Sequence, residues 1–131
     1  MNQSKNMTLE QQRAQDAWRC SQGQESGYVN LAKGLPALIM NSGLMQVLAY
    51  LQEKGLDKNG KRHPKQGYYL DLAQQLRDWL KARELLNDTS FPGCMNELMT
   101  ADPHRFQQIT TEAFAWLRWL RQISAAVIKG D

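Results

Sequence analysis

The chain has 131 residues, with 16 Lys+Arg against 13 Asp+Glu for a net charge of +3. That length suits one domain able to bury about two-thirds of the surface its unfolded chain exposes, and no run approaches the ~20 apolar residues that cross a bilayer. The amino-terminal stretch lacks the apolar core of a secretory signal, and Cys20 and Cys94, outside any CxxC pair, read as reduced thiols of a cytoplasmic protein.

Helical signals run along the chain in order. Thr8 with Gln11 three residues on has capping-box spacing, and the helix it opens runs to about Cys20, presenting Leu9, Ala14, Ala17 and Trp18. Gly23–Gly27 is expected to end it. The most apolar stretch follows, Leu31–Leu51, with Leu31, Leu35, Leu38 and Ile39 and then Leu44, Val47, Leu48 and Leu51 at helical spacing. Pro36 lacks an N–H and predicts the start or a kink of a helix there. Asn41-Ser42-Gly43 ends that helix, with Gly43 able to take the positive φ of a cap. The next segment, Glu53–Lys65, holds Lys54, Lys58, Lys61, Arg62 and Lys65 against only Glu53 and Asp57. The whole positive excess of the chain therefore sits in this connector.

A fourth helix is predicted over about Gln66 to Leu86, with Tyr69, Leu72, Leu76, Trp79, Leu80 and Leu86 on its apolar face. Phe91-Pro92-Gly93 reads as loop and Met95–Thr100 as a short helical turn. Asp102 is an N-cap candidate, and Pro103 occupies the first-turn position proline prefers. From there Phe106, Ile109, Ala113, Trp116, Leu117, Leu120, Ile123 and Val127 trace one long helix, closed near Lys129-Gly130. Strand signals are nearly absent, because the Asn59-Gly60 turn dipeptide has charged flanks. The expected fold is all-α: a single domain over 1–131 of five to six helices, with a kinked helix pair at the Pro36–Gly43 corner and a flexible lead-in over 1–7.

Constellations that carry chemistry are missing. His63 and His104 stand apart, without a Cys, Asp or Glu at metal-ligand spacing. In Asp102-Pro103-His104, capping accounts for the aspartate better than catalysis does. Glycine-rich phosphate loops and paired carboxylates are also absent. The chain therefore reads as a non-enzyme with no cofactor and no metal. Trp18, Trp79, Trp116 and Trp119 lie on helices, where filling the core is the simpler reading. Trp119, between Arg118 and Arg121, sits off the apolar stripe and is expected to meet a neighbouring subunit. Arg77 and Lys81 are predicted to share an exposed face of the fourth helix, as are Arg118 and Arg121 on the last. Arg13 and Arg19 lie on the first helix and Lys33 just before Pro36. Such pairs form a solvated face in most bundles, yet they also suit phosphate contact. Composition leaves both open.

The segment LAKGLPALIMNSGLMQVLAYL resembles the signature of the small α-helical subunit of the type III-B CRISPR effector, the Cmr complex. Leu35-Pro36-Ala37-Leu38-Ile39, the Asn41-Ser42-Gly43 break and Gly43-Leu44-Met45-Gln46-Val47-Leu48-Ala49-Tyr50 carry the likeness. Gln12-Arg13-Ala14 with Ala17-Trp18, and Glu112 with Ala115-Trp116-Leu117-Arg118-Trp119-Leu120-Arg121, resemble the family's first and last helices. The resemblance implies a non-catalytic subunit whose copies stack end to end beside the crRNA-bearing backbone and large subunits. It also implies a basic groove along the stack for target RNA paired to the guide, with cleavage and signalling left to other subunits. Lys33 and Arg121 are the basic positions the motifs support, and Arg13 is a weaker match. Lys58, Lys61, Arg62 and Lys65 are inferred from charge, and Arg77, Lys81 and Arg118 from helical spacing. The competing reading is a helical protein–protein adaptor without nucleic-acid contact. A DNA-binding helix–turn–helix fares poorly, since GLMQVLAYLQ has no basic residue.

Overall fold

Thr8 opens the first helix as its spacing predicts. Its Oγ1 accepts the Gln11 N–H at 3.1 Å, and the Gln11 side chain accepts the Thr8 N–H at 2.7 Å. The computed structural model describes residues 6–128, and six helices follow from such local signals: α1 Leu9–Ser21, α2 Ser26–Ser42, α3 Leu44–Gly55, α4 Tyr68–Ala82, α5 Phe91–Thr100 and α6 Pro103–Val127. Among the described residues there is no strand, only an isolated bridge between Leu56 and Arg62. Lys129-Gly130 and all of the expected lead-in except Asn6 and Met7 lie outside the described residues.

Several local expectations change. The fourth helix ends at Ala82 rather than near Leu86, with Glu84 at φ +60° just beyond it. Of the start or kink that Pro36 predicts, the start does not occur: α2 runs from Ser26 through Ser42 with the proline inside it. An internal proline costs about 3 kcal/mol. Leu31, Leu35 and Ile39 are all buried on this helix, and each contributes roughly 1.5–3 kcal/mol, so tertiary burial outweighs the local penalty. Gly27 belongs to α2 rather than to the preceding turn, since a Cβ there would come within 2.8 Å of the Tyr68 ring. Its lack of a side chain lets α2 lie against α4. Phe91-Pro92-Gly93 is helix, not loop. Ser90 caps α5 by accepting the Gly93 N–H at 3.1 Å, with Pro92 in the first turn.

Gly43 does what its position suggests. At φ +85° its N–H bonds the Ile39 carbonyl at 2.8 Å, closing α2, and its own carbonyl accepts from Val47 to open α3. A single residue thus reverses the chain. Asp102 caps α6 by accepting the Arg105 N–H at 2.8 Å. Side chains from all six helices meet in one core, with Leu35, Leu48, Leu76, Leu98, Trp116 and Leu117 fully buried.

Indole–carboxylate bonds fasten the helices across that core. Trp116 Nε1 donates to Asp16 at 2.8 Å and Trp119 Nε1 to Glu10 at 3.1 Å, both joining α6 to α1. Trp79 Nε1 on α4 donates to Glu112 on α6 at 3.0 Å. Buried indoles need such partners. Trp18 has none of this and does not fill the core: it is 56% exposed, because Ala17, Cys20 and Ser21 form the buried side of α1.

The charged connector is ordered. Asp57 Oδ1 accepts the N–H groups of Asn59 and Lys61, and Gly60 turns the chain at φ +77°. His63 Nδ1 accepts from the Lys65 and Gln66 N–H groups, both at 3.0 Å. The imidazole is therefore a structural acceptor.

Candidate nucleic-acid interface

The ten cations assigned from sequence to RNA contact divide sharply. Arg77 does not share an exposed face with Lys81. It is 4% exposed, with Nε bonding the Thr89 carbonyl at 2.8 Å and Nη2 bonding Gln74 Oε1 at 2.9 Å. Burial lowers its pKa. The side chain sits beside Leu76 on the inner edge of α4, where it ties down the α4–α5 connection, while Lys81 stays exposed. Arg13 is also committed. It grips Glu112 with two bonds of 2.8 Å and Glu10 with one of 2.7 Å, and the Glu112 bonds raise its pKa. Arg62 pairs bidentately with Asp71 at 2.8 and 2.9 Å. Those three are held by the protein's own groups, though Arg77 Nη1 is buried without a hydrogen-bond partner among the described residues.

Lys33, Lys58, Lys61, Lys65, Lys81, Arg118 and Arg121 are exposed, and among the described residues none forms an ion pair. They do not form one continuous surface. Arg118 and Arg121 converge with Pro36, Met40 and Phe114 on a groove of about 370 Å³ between α2 and α6. Lys33 lies one turn before Pro36 on the same side of α2. Arg62 and Lys65 instead edge a separate cleft of about 280 Å³ beside Tyr28 and Tyr68. The two hollows share no residue.

Trp119 is half-buried, its ring against the core and its N–H on Glu10, so its own chain occupies much of the surface expected to meet a neighbour. Glu112 was visible in sequence only as part of a weak motif. It is 7% exposed and takes bonds from Arg13 and Trp79. Burial pushes its pKa up, but the Arg13 and Trp79 hydrogen bonds outweigh that and leave it lowered. A buried acid on an apolar helix face, with a basic residue on another helix, was the available signal. Cys20 and Cys94 are buried and free, and burial pushes their thiols up to about 12 and about 11. Among the described residues no group of three His, Cys, Asp or Glu could hold a metal ion, and no helix is long and apolar enough to cross a membrane.

These features define a six-helix, all-α protein that presents a cationic groove with an apolar floor. The family model for a CRISPR-associated protein (Cas_Cmr5) matches residues 9–127, from the first residue of α1 to the last of α6, and the chain belongs to that family. It is a CRISPR-associated subunit of the Cmr type. Its fold is similar to that of a CRISPR-associated Cmr5 family protein from Thermus thermophilus, known from an X-ray crystal structure. The TM-score is 0.67 at 24% identity, over 94% of this chain and 99% of that one. No curated protein matches the sequence.

Proposed function

We propose that this chain is a non-catalytic structural subunit of a type III-B RNA-guided effector in the cytoplasm. It stacks with further copies of itself alongside the backbone and large subunits, and its α2–α6 groove lies against the crRNA–target RNA. The observation that carries this reading is the pairing of Arg118 and Arg121 on one groove, both without a carboxylate partner. Cations that form no ion pair suit phosphate, although Arg118 feels the exposed Glu10 carboxylate. Arg13, Arg62 and Arg77 are instead tied down by the fold. Lys33 extends the positive edge along α2. Phosphate contacts of this kind position an RNA without reading its sequence. The exposed Trp18 indole, rather than Trp119, is the better candidate for contact with a neighbouring subunit.

The test is the triple reversal Lys33→Glu, Arg118→Glu and Arg121→Glu in the assembled complex. Assembly should be retained and target-RNA affinity should fall. The salt slope, d log K/d log[salt], should flatten by about 2–3, since each lost phosphate contact removes roughly 0.7 on a single strand and roughly 0.9 on a duplex. Unchanged affinity and slope in an assembled complex would favour the adaptor without nucleic-acid contact.

A further inference from the structure

Resting on that reading of the groove, we infer that it holds an unstacked nucleobase of a single-stranded RNA segment, not merely the passing backbone. Phosphate needs cations alone, yet the floor between Arg118 and Arg121 is built from Pro36, Met40 and Phe114. Met40 is 78% exposed on the groove wall. An apolar side chain left this open gains nothing for the fold, but beside the Phe114 ring it supplies the sequence-tolerant apolar contact a base requires. Pro36 adds a second sign. It sits inside α2 despite the cost of a helix-interior proline, and it places a rigid ring on the floor of this same hollow. At about 370 Å³, the space lies within the range of small-ligand sites, enough for one nucleotide. Charge complementarity completes the fit, with the base on the floor and the phosphates on either side of it reaching Arg118 and Arg121. The occupant is then one nucleotide of any sequence.

Fluorescence anisotropy on the whole protein in dilute salt tests this with three labelled probes: an adenosine RNA hexamer, a ribose-phosphate hexamer without bases, and a blunt RNA duplex. The adenosine hexamer should bind roughly tenfold more tightly than the base-free one, the size of one stacked base, and the duplex, whose bases are paired, should bind through its backbone alone. Met40→Ser, which removes an exposed side chain, should erase most of that difference while leaving the base-free hexamer unaffected. Phe114→Leu should act in the same direction. Equal affinity for the two hexamers, or duplex binding that Met40→Ser weakens as much as it weakens the adenosine hexamer, overturns the base pocket while leaving a phosphate track intact. Loss of discrimination must also occur without loss of fold, checked by unchanged thermal unfolding of Met40→Ser. If no probe binds, or if Arg118→Glu/Arg121→Glu leaves every affinity as it was, the underlying RNA-facing reading fails too, and the groove belongs to a protein partner.

Discussion

Glu112 offers the sharpest test of how this bundle is held together. Its carboxylate takes two bonds from Arg13 and one from Trp79, so one side chain joins α1, α4 and α6. Glu112→Gln keeps the shape and removes the charge. Arg13 is left with side-chain exposure of 15% and only Glu10, an exposed acid, as a counter-ion. Breaking a buried pair by removing one partner costs about 3–5 kcal/mol. The remaining Glu10 contact and the amide's own hydrogen bonds point to the lower end, about 3 kcal/mol. At roughly 3–5 °C per kcal/mol for a chain of this size, Tm should fall by about 10 °C. The pH dependence has a definite sign. Because hydrogen bonding holds the folded pKa of Glu112 below its ordinary value near 4.5, the charge stabilises the fold above that value. The contribution is lost as pH falls through the folded pKa. Wild type and Glu112→Gln should therefore converge in acid. Circular dichroism melts stepped from pH 7 down to pH 2 measure this directly. A Tm at pH 7 within 2 °C of wild type, or a gap that persists in acid, would refute the hub.

Arg77→Ala should destabilise the protein by about 2 kcal/mol in urea unfolding, since it removes the bond to Gln74 and the shorter of the two bonds to the Thr89 carbonyl, leaving only Gln74 Nε2 at 3.3 Å, whereas Lys81→Ala should stay within about 0.5 kcal/mol. Gly55→Ala should cost about 1–3 kcal/mol through overpacking, because its Cβ would crowd the Leu70 side chain and approach the Leu70 backbone nitrogen at 2.9 Å; the same urea series checks it. Cys20 and Cys94, both buried, should resist a thiol reagent at pH 8 until denaturant is added. Their raised pKa values mean the fold favours the neutral thiols, so that stability is complete below about pH 9 and declines as pH rises towards 11–12. Alkaline titration of the unfolding midpoint, compared with a Cys20→Ala/Cys94→Ala variant, reads that decline.

Local chemistry made much of the fold legible. Thr8, Gly43 and Asp102 act through hydrogen bonds to residues three or four positions away, so the chain announces these helix ends without any tertiary contact. The long α6 declares itself by periodicity for the same reason. Ser90 was equally local, but Phe91-Pro92-Gly93 masked it, since proline and glycine read as loop when the cap before them is missed. Pro36 does not start a helix, because its penalty is local and the burial that outweighs it is not.

Sequence alone determined the all-α class, most helix ends and the family, all of which depend on spacing along the chain. Only the tertiary structure decided the fate of the charges. Arg13, Arg62 and Arg77 look no different in sequence from Arg118 and Arg121, yet their partners Glu112, Asp71 and the Thr89 carbonyl come from other parts of the fold. Whether a cation is free to meet another molecule depends on which groups the fold brings within about 3 Å of it, and spacing along one helix carries no record of that.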